Sequence, residues 1–149
     1  MSLPASTKRS VVFTGLGLLL VGSAFYVQAL SFAHFWQSAG LLAAAGLLLA
    51  PAYADQSRRR RLHNALRAKD IPSAPLSDRA YLALLCLAAV MIVLPTLLWL
   101  LWRGDPRALD AWLGALWFGW AAFAGLMTWL GWKEAQMLES GARLIDPED

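Results

Sequence analysis

The chain has 149 residues but only one cysteine, Cys86, and two histidines, His34 and His63. A single thiol cannot close a disulfide within the chain, and it excludes the paired cysteines of a membrane dithiol redox enzyme. A haem held between transmembrane helices usually takes a histidine from each. Both histidines lie outside the long apolar runs, so that pair is missing, and Cys/His zinc clusters fail on the same count. No nucleotide loop, serine nucleophile elbow, zinc helix or Gly-rich dinucleotide turn occurs. The sequence therefore assigns no catalytic, cofactor-binding or metal-binding residue, and no cofactor is expected.

Charge is scarce too. Asp, Glu, Lys and Arg make up 15% of the chain and hydrophobic residues 58%, with a mean hydropathy of +0.49. A soluble domain carries about 25% charge. The shortage excludes an ordinary water-soluble globule, and the wealth of apolar residues excludes disorder.

What is present is a set of four apolar stretches, about 11–33, 36–54, 80–102 and 111–132, none holding an Asp, Glu, Lys or Arg. A hydrocarbon core of about 30 Å needs roughly 20 apolar residues in helical form. Continuous Leu/Ala/Gly runs lack the two-residue alternation of a membrane barrel. The expected fold is an all-α membrane protein, one domain of four transmembrane helices arranged as two hairpins. A basic loop, 55–79, joins the hairpins, and a tail, 133–149, follows the last. Eleven of the thirteen basic residues fall in the N-terminal segment, this loop and the tail. Only Arg103 and Arg107 lie on the other side, so both termini are expected in the cytoplasm of a cell with an inner membrane. Lys8-Arg9 followed by an apolar run and Gly22-Ser23-Ala24 resembles a cleavable signal. The apolar stretch continues through Leu30, however, and an uncleaved anchor is expected.

The turns are short. Only His34 and Phe35 separate the first two spans. Between the second pair, Gly104 fits a left-handed turn, Asp105 a cap and Pro106 a first helical position. Ser77 and Asp78 suit the start of the third span. Pro95 leaves the Met91 carbonyl without its helical donor and predicts a kink, with Thr96 able to donate back. Pro51 is expected to bend the exit of the second span.

Within the spans, ionisable residues, the usual marks of proton relays and ion pathways, are absent. Gln28 is the most polar group well inside, and its amide predicts an interhelical hydrogen bond, to Ser38 or Thr96. Small residues recur every four positions: Gly40 with Ala44, Gly46 with Ala50, Ala111 with Ala115 and Gly119, Ala121 with Gly125. Such faces allow backbones to approach closely, and Ala111, Ala115 and Gly119 are the expected association face. Of the eight tryptophans, Trp36, Trp99, Trp102 and Trp112 suit the outer interface and Trp129 and Trp132 the inner one. Trp117 and Trp120 lie deeper, where helix packing is favoured over a pocket for a lipid or quinone tail.

The loop reads DQSRRRRLHNALRAKDIPSAPLSD. Ser57 can cap a short basic amphipathic helix through Ala68, lying on the membrane with Arg58, Arg59, Arg60 and Arg61 against anionic headgroups. Nucleic acid is not expected as a partner. The fourth helix is expected to project beyond the membrane, with a break near Ser140-Gly141. These features favour a non-catalytic subunit or accessory factor of a larger membrane complex, in transport or envelope biosynthesis. The partners would be membrane lipids and either other subunits or further copies. A homo-oligomeric small transporter or channel is the main alternative. A lipid-active enzyme using His63, Asp70 and Asp78 is a third.

Overall fold

The computed structural model describes residues 5–30, 34–101 and 106–145. It is all-helical: α1 (Ala5–Leu30), α2 (Phe35–Arg67), α3 (Asp78–Leu101) and α4 (Pro106–Ile145). Three of them, α1, α2 and α4, are long and apolar enough to cross a membrane. The Gly104 and Asp105 turn, the Thr96 hydroxyl and the rings of Trp99 and Trp102 lie outside the described residues.

Helix α1 packs on all three others, whereas α2 and α3 approach each other only at their connected ends, where Arg67 faces Asp78, among the described residues. Its glycines explain the close approach. A Cβ at Gly17 would sit 2.7 Å from the Leu49 side chain on α2, and one at Gly15 or Gly22 would collide with Thr128 or Trp120 on α4. Gly15 and Gly22 are seven residues apart, two helical turns, and so line one seam. Gly22 has a second use. The absent side chain uncovers the Leu18 carbonyl four residues earlier, and the Trp120 indole Nε1 donates to it at 2.8 Å. Around this contact Tyr26, Leu113, Trp120 and Phe123 form the core. Helix α3 docks on that core through Leu84, Ala88, Met91 and Ile92. The Met91 carbonyl, which Pro95 cannot serve, accepts the Tyr26 hydroxyl at 3.3 Å instead.

Two expectations about helix ends are met. The backbone N–H of Ala80 donates to Ser77 Oγ at 3.3 Å, capping α3, and α4 starts at Pro106. Two others are overturned. There is no separate surface helix starting at Ser57: α2 runs unbroken for 33 residues, through Pro51 and the arginine run. Its inward side follows a single stripe, Ser38, Leu41, Ala45, Leu48, Ala52, Asp55, Arg59, Leu62 and Leu66, with Pro51 on the exposed side. Nor does α4 break at Ser140-Gly141. It continues for 40 residues to Ile145, because Gly141 is buried where Leu66 of α2 presses against it, 2.6 Å from a would-be Cβ. At 1.5 Å per residue these helices are roughly 50 and 60 Å long, well beyond a hydrocarbon core. The basic segment is therefore a continuation of α2 rather than a separate helix.

Helix α2 ends in a Schellman turn. Asp70 takes a φ of 53°, its N–H donates to the Arg67 carbonyl at 3.2 Å, and the Ile71 N–H donates to the Leu66 carbonyl at 3.0 Å. Asp tolerates this left-handed conformation better than most residues.

Candidate functional site

Polar side chains converge at one end of the bundle, where α1 begins and α2 and α4 extend past their apolar parts. Lys8 pairs with Glu139 at 3.4 Å. The Arg59 Nε donates to Asp55 at 3.1 Å, and its terminal nitrogen donates to Ser10 Oγ at 2.6 Å. One helical turn further along α2, His63 is held from both sides. Its Nε2 lies 2.7 Å from Glu134 Oε1 on α4, and its Nδ1 lies 2.9 Å from Ser73 Oγ in the connection to α3. A carboxylate can only accept, so Nε2 carries the hydrogen. In the neutral imidazole Nδ1 is then the acceptor, and the Ser73 hydroxyl donates to it.

His63 and Ser73 open onto a cavity of about 660 Å³ formed by the end of α2, the connection and the first turn of α3. Tyr81 also lines it, and its buried hydroxyl has no hydrogen-bond partner among the described residues. Asp70 and Asp78 lie on the same cavity. The three loop residues singled out in the sequence thus share one space, but their roles differ. Asp70 serves the turn after α2, and Asp78 faces Arg67 at 3.6 Å in a highly exposed pair of little energetic weight. Only His63 has inward partners. Ser73, Glu134 and Tyr81 escaped the sequence reading. The available signal was the α2 stripe, which continues at Asp55, Arg59, Leu62 and His63 and so marks His63 as inward-facing.

The remaining assigned residues separate by exposure. Arg58, Arg60 and Arg61 are exposed, whereas Arg59 is turned in to Asp55 and Ser10. Gln28 has no hydrogen bond among the described residues. Ser38, one of its expected partners, donates instead to the Ala24 carbonyl at 3.0 Å. Ala111 and Ala115 are exposed, and Gly119 is exposed beside the Met91 methyl of α3. The inward face of α4 runs instead through Leu113, Trp120, Phe123, Leu130 and Leu138. Trp120 is core, while Trp117 donates to Ser23 Oγ at 3.0 Å and borders a second cavity of about 410 Å³ between α1 and α4.

Neither a family model, nor a curated protein, nor a solved structure matches this chain.

Proposed function

We propose that this is a four-span inner-membrane protein with both termini in the cytoplasm, acting as a subunit or accessory factor of a larger membrane complex in transport or envelope biosynthesis. One observation carries the reading. The glycines that seat helix against helix are Gly15, Gly17, Gly22, Gly119, Gly131 and Gly141, whereas Gly40, Gly46, Gly114 and Gly125 have nothing within 4 Å of a Cβ position. Faces suited to close approach are thus left open after the chain has packed on itself, beside Ala111 and Ala115. In hydrocarbon such faces gain most from another helix.

Purification in mild detergent tests this. Other chains at fixed stoichiometry support the reading, identical copies alone favour the homo-oligomeric transporter or channel, and a lone monomer overturns both. Ala115→Leu is expected to release the partner chains while changing stability by no more than about 0.5 kcal/mol, as exposed substitutions do. Thermal unfolding and co-purification of the same sample measure the two effects. For the orientation, a cysteine replacing the exposed Ser140 is expected to resist an impermeant thiol reagent in intact cells and to react after lysis.

The lipid-active reading has an observation of its own, the cavity shared by His63, Asp70 and Asp78. On this reading the polar groups and the bonded histidine of that cavity would meet headgroups of the cytoplasmic leaflet.

A further inference from the structure

We infer that Ser73 is an acyl-accepting nucleophile, with His63 as its base and Glu134 as the residue that orients the base, acting on the acyl esters of membrane lipids. This deepens the lipid-active reading and rests on it. The three parts that such a site requires are in contact: nucleophile to base at 2.9 Å and base to carboxylate at 2.7 Å, beside a cavity large enough for part of a lipid. Glu134 takes Nε2 and leaves Nδ1 to the serine, the reverse of the ring orientation in serine proteases, but the roles and the proton path are the same. Pro72 and Pro75 restrict the backbone on either side of Ser73. The backbone N–H groups of Ser73 and Ala74 have no intramolecular acceptor among the described residues. In the proposed site these are the donors that would turn to a developing oxyanion.

The substrate class follows from depth. The apolar stretch of the third span starts at residue 80, and Tyr81 forms part of the cavity wall. The cavity therefore lies at the edge of the hydrocarbon, the level of the glycerol esters of a phospholipid. Ser73 Oγ adds to the ester carbonyl carbon while its proton passes to His63 Nδ1. The tetrahedral oxyanion collapses, the bond from carbon to the glycerol oxygen breaks, and that oxygen takes the proton from Nδ1. Water then gives a proton to Nδ1 and adds to the acyl-serine. Ser73 leaves with that proton, and a fatty acid is released.

The full chain in phosphatidylethanolamine/phosphatidylglycerol nanodiscs is treated with a long-chain fluorophosphonate, and the adduct is located by mass spectrometry. The expected result is one adduct on Ser73, absent in Ser73→Ala and formed at least about 100-fold more slowly in His63→Ala, the lower bound for loss of a general base. Glu134→Gln, whose amide oxygen still accepts from Nε2, is expected to retain more labelling than Glu134→Leu. Wild-type protein that is folded, judged by its thermal transition, yet yields no Ser73 adduct overturns the assignment without any variant. Release of fatty acid from the same nanodiscs tests the lipid reading separately. An adduct without release keeps the nucleophile and overturns the lipid substrate, and release without a Ser73 adduct does the reverse.

Discussion

Replacing Gly22 with leucine is expected to destabilise the bundle more than any leucine placed at an open glycine. The side chain would enter the space held by the Trp120 ring, which is almost wholly buried. Overpacking a tight site costs about 1–3 kcal/mol. The leucine would also part the Nε1 donor from the Leu18 carbonyl, and a buried donor without its acceptor adds roughly 1–3 kcal/mol. Because α1 and α4, the two helices joined at this contact, each touch all the others, the loss spreads to the whole bundle rather than to one edge. Gly40→Leu is the matched control, with the same change in volume and hydrophobicity at a position with open space. Thermal unfolding in one detergent should show a large fall in midpoint for Gly22→Leu and almost none for Gly40→Leu. Equal midpoints would mean that the seam between α1 and α4 does not pass through Gly22.

The sequence shows where apolar length lies, because a helix that faces lipid advertises itself by composition alone. The helices over the stretches 11–33, 36–54 and 111–132 are found, although α2 and α4 run on well past the apolar stretches, to Arg67 and Ile145, and the Ser77 cap and Pro106 start follow from local chemistry. Which faces pack is a different matter. In a membrane both the lipid-facing and the inward side are apolar, so four-residue spacing of small residues draws attention to Gly40, Gly46 and Gly125. The seven-residue pair Gly15 and Gly22 is what α4 meets.

Helix continuity was hidden for another reason. Pro51 and the Asp55-Gln56-Ser57 sequence look like an exit from the membrane, and a cap at Ser57 is locally sound. The structure continues the helix because Asp55, Arg59 and His63 keep the inward stripe and find partners in one another, Ser10 and Glu134. Ser10 and Glu134 lie on other helices, Glu134 being 71 residues from His63. No motif at fixed spacing could have joined Ser73, His63 and Glu134, since the turn at Asp70 and the length of α4 together set their meeting point.

That extension yields the second large effect. Leu66 is completely buried at the end of α2, against Gly141 near the end of α4. Leu66→Ala removes three carbons from a site whose neighbour has no side chain to fill the gap, and changes of this kind cost about 2–5 kcal/mol. The penalty falls on the polar end of the bundle, where water can enter once α2 and α4 part. The arginine run at 58–61 lies eight to five residues before Leu66 and gives trypsin four targets that a helix docked on its neighbours protects. When opening is fast relative to cleavage, cutting follows the open population, so even the lower end of that cost raises nicking by roughly 30-fold. Trypsin added to protein in nanodiscs, with fragments read by mass, measures it. The membrane helices themselves should remain assembled, since Gly22, Trp120 and Tyr26 are untouched. A basic helix lying flat on the bilayer would behave otherwise, because there Leu66 would sit in lipid and its truncation would weaken attachment to anionic vesicles without a 30-fold change in cutting. Equal nicking of wild type and Leu66→Ala would therefore count against the docked extension.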